Sequence, residues 1–86
     1  MFRLVREDEA AVMLRDDTHA LLDLWPAGDL RGRCFLMRSF VDRWGHHRLP
    51  GGLVADLRVR HGQEEADREI RRVAPGLLGE EVADVG

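Results

Sequence analysis

Proline and glycine cut this chain into short pieces, and those breaks limit which elements it can form. Pro26-Ala27-Gly28 closes the first stretch, Gly45 and Pro50-Gly51-Gly52 the second, Gly62 the third and Pro75-Gly76 the fourth. Glycine after a periodic run is a common helix end, and proline does not continue a helix interior. With 86 residues the chain reads as one domain, 1–86, around a single modest core.

The clearest helix lies between the first two breaks, over 29–45. Asp29 is an N-cap residue by type, and Leu30, Cys34, Met37, Val41 and Trp44 recur at four- and three-residue steps. Phe40 widens that stripe, Gly45 closes it, and Gly32 costs about 1 kcal/mol relative to alanine. Residues 63–74 start acidic with Glu64, Glu65 and Asp67 and end basic with Arg71 and Arg72, as a helix dipole favours. Leu53 to Arg60 fits two patterns. A helix would bury Leu53, Val54 and Leu57, whereas a strand would alternate Leu53, Ala55, Leu57 and Val59 against the rest. Gly62 placed as a C-cap favours a helix over 53–61. Residues 79–86 read as a frayed tail.

The first 25 residues read as a hairpin region. Phe2 to Arg6 is short and β-leaning, and Glu7-Asp8-Glu9 reads as an exposed turn. Ala11-Val12-Met13-Leu14 and His19 to Trp25 are two short runs separated by Arg15-Asp16-Asp17-Thr18, which suits a β-hairpin. A helix over the same stretch would carry Asp16-Asp17-Thr18 in its middle, where such residues are poor helix formers. The expected fold is therefore α+β: an N-terminal β-hairpin or small antiparallel sheet followed by three helices, winged-helix-like.

Charge is distributed unevenly. Residues 31–62 hold seven arginines against Asp42 and Asp56, a local +5, and each flank holds three arginines against seven acids, a local −4. Such a middle suits carboxylates or phosphates, or a self-neutralising contact with the chain's own ends or with a second copy. All thirteen basic residues are arginine, and lysine, asparagine and tyrosine are absent, a pattern that GC-rich coding produces. The choice of arginine over lysine is thus no functional signal. Arg31, Arg38 and Arg48 are the candidate contacts to an acidic partner. The formal net charge of −3 argues against a stand-alone nucleic-acid binder.

No constellation for catalysis stands out. His46-His47 point apart on regular structure, and neither Cys34 nor His61 has a metal-ligand spacing. Cys34 sits on the apolar stripe, where an inert thiol is expected. No phosphate loop or nucleophile elbow is present. A single cysteine allows no internal disulfide, and no apolar run reaches the roughly 20 residues of a membrane span. No signal-peptide core precedes the domain, so a cytoplasmic, non-enzymatic protein without metal or cofactor is expected. Trp25 and Trp44 read as core anchors.

Ala11 to Val73 resembles the PqqD-like leader-peptide recognition elements in its order of elements. Val12-Met13-Leu14 and Leu21-Leu22-Asp23-Leu24 are similar to that family's hairpin, Trp25-Pro26-Ala27-Gly28 to its Asn-Pro-Thr-Gly turn, and Leu53 to Leu57 with Glu64 to Val73 to its last helices. The family's turn asparagine is Trp25 here, and its Asp-Gly before the second helix is Gly45-His46-His47. The resemblance implies a peptide added as a strand to the hairpin, facing His19, Leu21 and Asp23 with Arg68, Arg71 and Arg72. Leu24-Trp25-Pro26, Cys34, Trp44, Arg48 and Pro50 also resemble, in order though not in spacing, the signature of MbtH-like proteins. The expected function is peptide or protein binding. The alternatives are a winged-helix DNA-binding regulator using the arginine-rich middle, and an accessory or inhibitor protein acting by charge-complementary association, with a homodimer among the expected partners.

Overall fold

The computed structural model describes residues 7–78, in which α-helices and single 3-10 turns make up the regular structure and no strand occurs. Helix α1 runs Glu7–Leu24, α2 Leu30–Trp44, α3 Leu53–His61 and α4 Gln63–Val73. Two 3-10 turns, Trp25–Ala27 and His46–Arg48, fill the first two breaks. The fold is all-helical among the described residues, so the α+β expectation is overturned. The expected strand at residues 2–6 and the tail at 79–86 lie outside the described residues.

The hairpin fails at the four residues taken for its turn. Asp17 and Thr18 lie on the inward side of α1 and are half-buried, beside Leu14 and the buried Leu21. The Thr18 hydroxyl donates to the Leu14 carbonyl at 2.8 Å, a bond that satisfies a polar side chain inside a helix. Asp17 accepts from the Trp44 indole N–H at 2.8 Å and lies 3.2 Å from the Arg43 guanidinium. Propensity against Asp-Asp-Thr costs a few tenths of a kcal/mol per residue. Partners supplied by α2 outweigh it.

Local signals set the other three helices. The Asp29 carboxylate accepts from the Gly32 N–H at 2.7 Å, and the Gly45 N–H donates to the Val41 carbonyl at 2.8 Å. In α3, Leu53 and Leu57 are buried one turn apart, whereas Val59 is 85% exposed. A strand would have put Val59 on the same side as both, so the helical period decides that segment. Helix α4 buries Ala66 and Ile70, again four residues apart.

Helix α2 is the centre of the domain: α1 packs on one of its flanks, α4 on another, and α3 packs mainly on α4. The shared core comprises Leu21, Trp25, Cys34, Met37, Phe40, Leu53, Leu57, Ala66 and Ile70.

One residue, Gly62, joins α3 to α4. Its N–H closes α3 on the Arg58 carbonyl at 2.9 Å, and its carbonyl receives the Ala66 N–H at 3.0 Å. With φ 89° and ψ 144° it occupies a region open essentially to glycine alone. Gly62→Ala is expected to destabilise the domain by about 1–3 kcal/mol through backbone strain, since a Cβ there meets no atom within 4 Å. Gly51→Ala, at a position with neither positive φ nor a close neighbour, is the control and should be neutral or slightly stabilising. Urea titrations of both variants measure the difference.

Candidate functional site

The apolar spacing of α1 leaves one side of the helix only partly covered. Asp17, Ala20 and Leu24 follow at three- and four-residue steps and so share a face, with Leu21 beneath them. Opposite them α2 presents Leu36, Ser39, Phe40 and Arg43. The two rows enclose an open, largely apolar groove of about 210 Å3. Leu21 and Phe40 form its floor, at 4% and 5% exposure, while Leu24 on its lip is 57% exposed. Phe35, one turn before Ser39 on α2, is 65% exposed. At the other end Asp17 and Arg43 close the groove with their ion pair.

The other concavities are more polar. Gln63, Glu64, Asp67, Arg68 and Arg71 line one along α4, and Arg38, Asp42, His46 and Arg72 contribute to another beside Pro75. Arg48 and His47 join Trp44 and Arg43 around a third, against Ala10 and Ala11.

The residues expected to face a peptide are not brought together. His19 and Asp23 are exposed on the outer side of α1, whereas Leu21, midway between them, points into the core. Arg68, Arg71 and Arg72 are exposed on α4, and α2 stands between the two helices. Strand addition to a hairpin arm has no strand to pair with among the described residues. Arg72 is bound to Glu69, and Arg68 lies 3.9 Å from Glu65. Arg31 lies 3.9 Å from Glu69, and Arg38 donates to the Val73 carbonyl at 3.1 Å and to Asp42 at 3.4 Å. Arg48 is exposed in the second 3-10 turn.

Much of the basic middle is neutralised inside the domain. Arg43 meets Asp17 from the N-terminal flank, and Arg58 meets Asp67 from the C-terminal one at 2.9 Å. Arg60 binds Asp56 at 2.6 Å. Arg33, on α2, is 5% exposed. Its Nε donates to the Trp25 carbonyl at 2.8 Å, Nη2 to the Pro26 carbonyl at 3.0 Å, and Nη1 lies 2.9 Å from His61 Nε2. A guanidinium only donates, so His61 Nε2 accepts and the ring proton sits on Nδ1. The guanidinium also lies 5.9 Å from the Trp25 ring centroid.

Trp25 extends that knot to α3 by donating its indole N–H to Asp56 at 2.6 Å. This bond and the one from Arg60 hold the Asp56 carboxyl below the usual range. Arg72 does the same for Glu69. A carboxyl whose pKa is lowered by folding adds stability above its unfolded value and loses it as the pH falls through the folded one. Stability is therefore expected to decline below about pH 4, and Asp56→Asn should flatten part of that decline. Thermal melts from neutral to acid pH, on wild type and variant, test the assignment.

Cys34 is fully buried, and burial pushes its thiol up to about 11, with Glu69 adding to the shift. At neutral pH it is a core side chain without thiolate character. Among the described residues no group of three His, Cys, Asp or Glu is placed to hold a metal, and no helix is long and apolar enough to cross a membrane. Comparison with known protein families, curated proteins and solved structures returned no match.

A hairpin reading of the first 25 residues conceals the groove, because it puts Leu24 on a strand. The signal was present in the three- and four-residue steps from Met13 through Asp17 and Ala20 to Leu24. A charged residue in that row hid the period.

Proposed function

We propose that this chain is a non-catalytic protein- or peptide-binding domain that receives an apolar helix in the groove between α1 and α2. The observation that carries the reading is the largely apolar groove with Leu24 on its lip left mostly in water, and Phe35 is exposed one turn before the groove's Ser39. An amphipathic helix with apolar residues at i, i+3 or i+4 and i+7 complements such a groove. The DNA-binding alternative draws less support, because Arg33, Arg43, Arg58 and Arg60 of the basic middle are held by groups within the domain.

Selection of displayed helical peptides against the immobilised chain tests this. Selected sequences should carry that apolar spacing, and Phe35→Asp or Leu24→Asp should weaken them by more than about tenfold. Their affinity should change little between about 50 and 200 mM salt, whereas duplex binding through several arginines would fall by orders of magnitude. Selected peptides indifferent to both substitutions, or tight and steeply salt-dependent binding of mixed-sequence duplex, would refute the reading.

A further inference from the structure

We propose that the occupant of the groove is a cationic amphipathic helix of a partner protein. Its apolar residues fill the groove, and lysines or arginines seven residues apart along one edge meet Asp16 and Asp23 on the lip of α1. The proposal rests on the groove reading above and adds the chemistry of the partner.

The two carboxylates stand where a docked helix would pass. Asp16 precedes the groove residue Ala20 by four positions and Asp23 follows it by three, so both border it on the side away from the core. Seven residues set them about 10 Å apart along α1, the spacing of i and i+7 on a helix lying alongside. Both are exposed. Among the described residues neither carboxylate has an ion-pair or hydrogen-bond partner, whereas Asp17, Asp42, Asp56, Asp67 and Glu69 are all engaged within the domain. Asp23 also lies in the last turn of α1, which holds no basic residue. The helix dipole disfavours an acid there and favours a cation beside it.

Among the described residues no arginine is placed to neutralise that lip. Arg43, the positive side chain in the groove, is held by Asp17 at 3.2 Å. Arg33 is buried, Arg31 lies 3.9 Å from Glu69 of α4, and Arg38 donates to Asp42 and to the Val73 carbonyl. Arg15, the one arginine of α1, shares a row with Ala11 and Leu22, and none of the three lines the groove. An acidic helix edge or a phosphate-bearing surface would meet two uncompensated carboxylates there, and a basic edge would pair them. Exposed ion pairs add little affinity, so apolar burial supplies the binding and the carboxylates select the partner and its orientation.

A displayed helical library with a fixed leucine face and edge positions drawn from lysine, glutamine and glutamate decides the matter. Selection against the full chain at about 50 mM salt should enrich lysine at two edge positions seven apart. In fluorescence anisotropy, glutamate in place of that lysine pair should weaken an enriched peptide about tenfold at 50 mM salt and less at about 200 mM. The lysine peptide itself should lose no more than about threefold over that range. Asp16→Asn with Asp23→Asn should abolish the preference, and Asp16→Arg with Asp23→Arg should turn it towards glutamate. Glu64→Arg on α4 changes the net charge as much as the asparagine pair does and should leave the preference intact. Enrichment without a lysine edge, or a lysine preference indifferent to the two aspartates, overturns the proposal. If the enriched peptides then still depend on Leu24, the groove reading stands and the cationic edge alone falls. If no helix is enriched, both fall. A chain that dimerises on its own in sedimentation equilibrium, and loses the dimer on Leu24→Asp, has its own copy as occupant and also overturns the proposal.

Discussion

Arg33→Leu is expected to cost about 3 kcal/mol of folding stability, although arginine-to-leucine at a helix position is nearly neutral in intrinsic propensity. The guanidinium is 5% exposed and supplies three donors to groups that have left water with it: the Trp25 and Pro26 carbonyls and His61 Nε2. Leucine removes the donors and leaves the acceptors, and an unsatisfied buried acceptor costs about 1–3 kcal/mol. The two carbonyls belong to the 3-10 turn that ends α1, so the loss also loosens the angle at which α1 meets α2. Arg33→Lys keeps the charge but has one nitrogen where the fork has three, and should recover less than half of the loss. Urea unfolding followed at the Trp25 and Trp44 fluorescence checks both variants. A loss below about 1 kcal/mol for Arg33→Leu would mean that water reaches these carbonyls.

Leu57→Ala is the second large effect, about 3 kcal/mol, within the range for leucine removed from a closed core. Leu57 is completely buried in the same cluster as Ala66 and Ile70 of α4. The α3–α4 pair turns on a single glycine, so the backbone there has little slack to close a cavity. That rigidity places the expected cost above the lower end of the range. A domain of 86 residues has on the order of 4–13 kcal/mol in total, so either substitution removes a large fraction. An unchanged dependence on urea concentration with a lower midpoint would identify a loss of native stability alone.

These two positions also separate what was legible from what was not. Leu57 follows from apolar period once Gly62 is taken as a helix end. Arg33 does not, because arginine carries no burial signal and its acceptors lie 7, 8 and 28 residues away. The same distance problem produced the mistaken hairpin. Asp17 is satisfied by Trp44 from 27 residues further on, and nothing near it in sequence indicates that partner. The peptide-facing set inferred from the winged-helix resemblance depended on the hairpin. It dispersed over two helices, α1 and α4, once α1 proved continuous.

The sequence by itself determined the segments that carry their own punctuation. Asp29 and Gly45 bound α2, Gly62 divides α3 from α4, and Leu53, Leu57, Ala66 and Ile70 announce the inward faces by helical spacing, since caps and periodicity act within one or two turns. Only the tertiary structure decided that α1 is a helix, that Arg33 is buried and that the acidic flanks neutralise much of the basic middle. Each of those depends on hydrogen bonds and ion pairs between residues far apart in the chain. Such bonds repay unfavourable local choices only after the helices have packed.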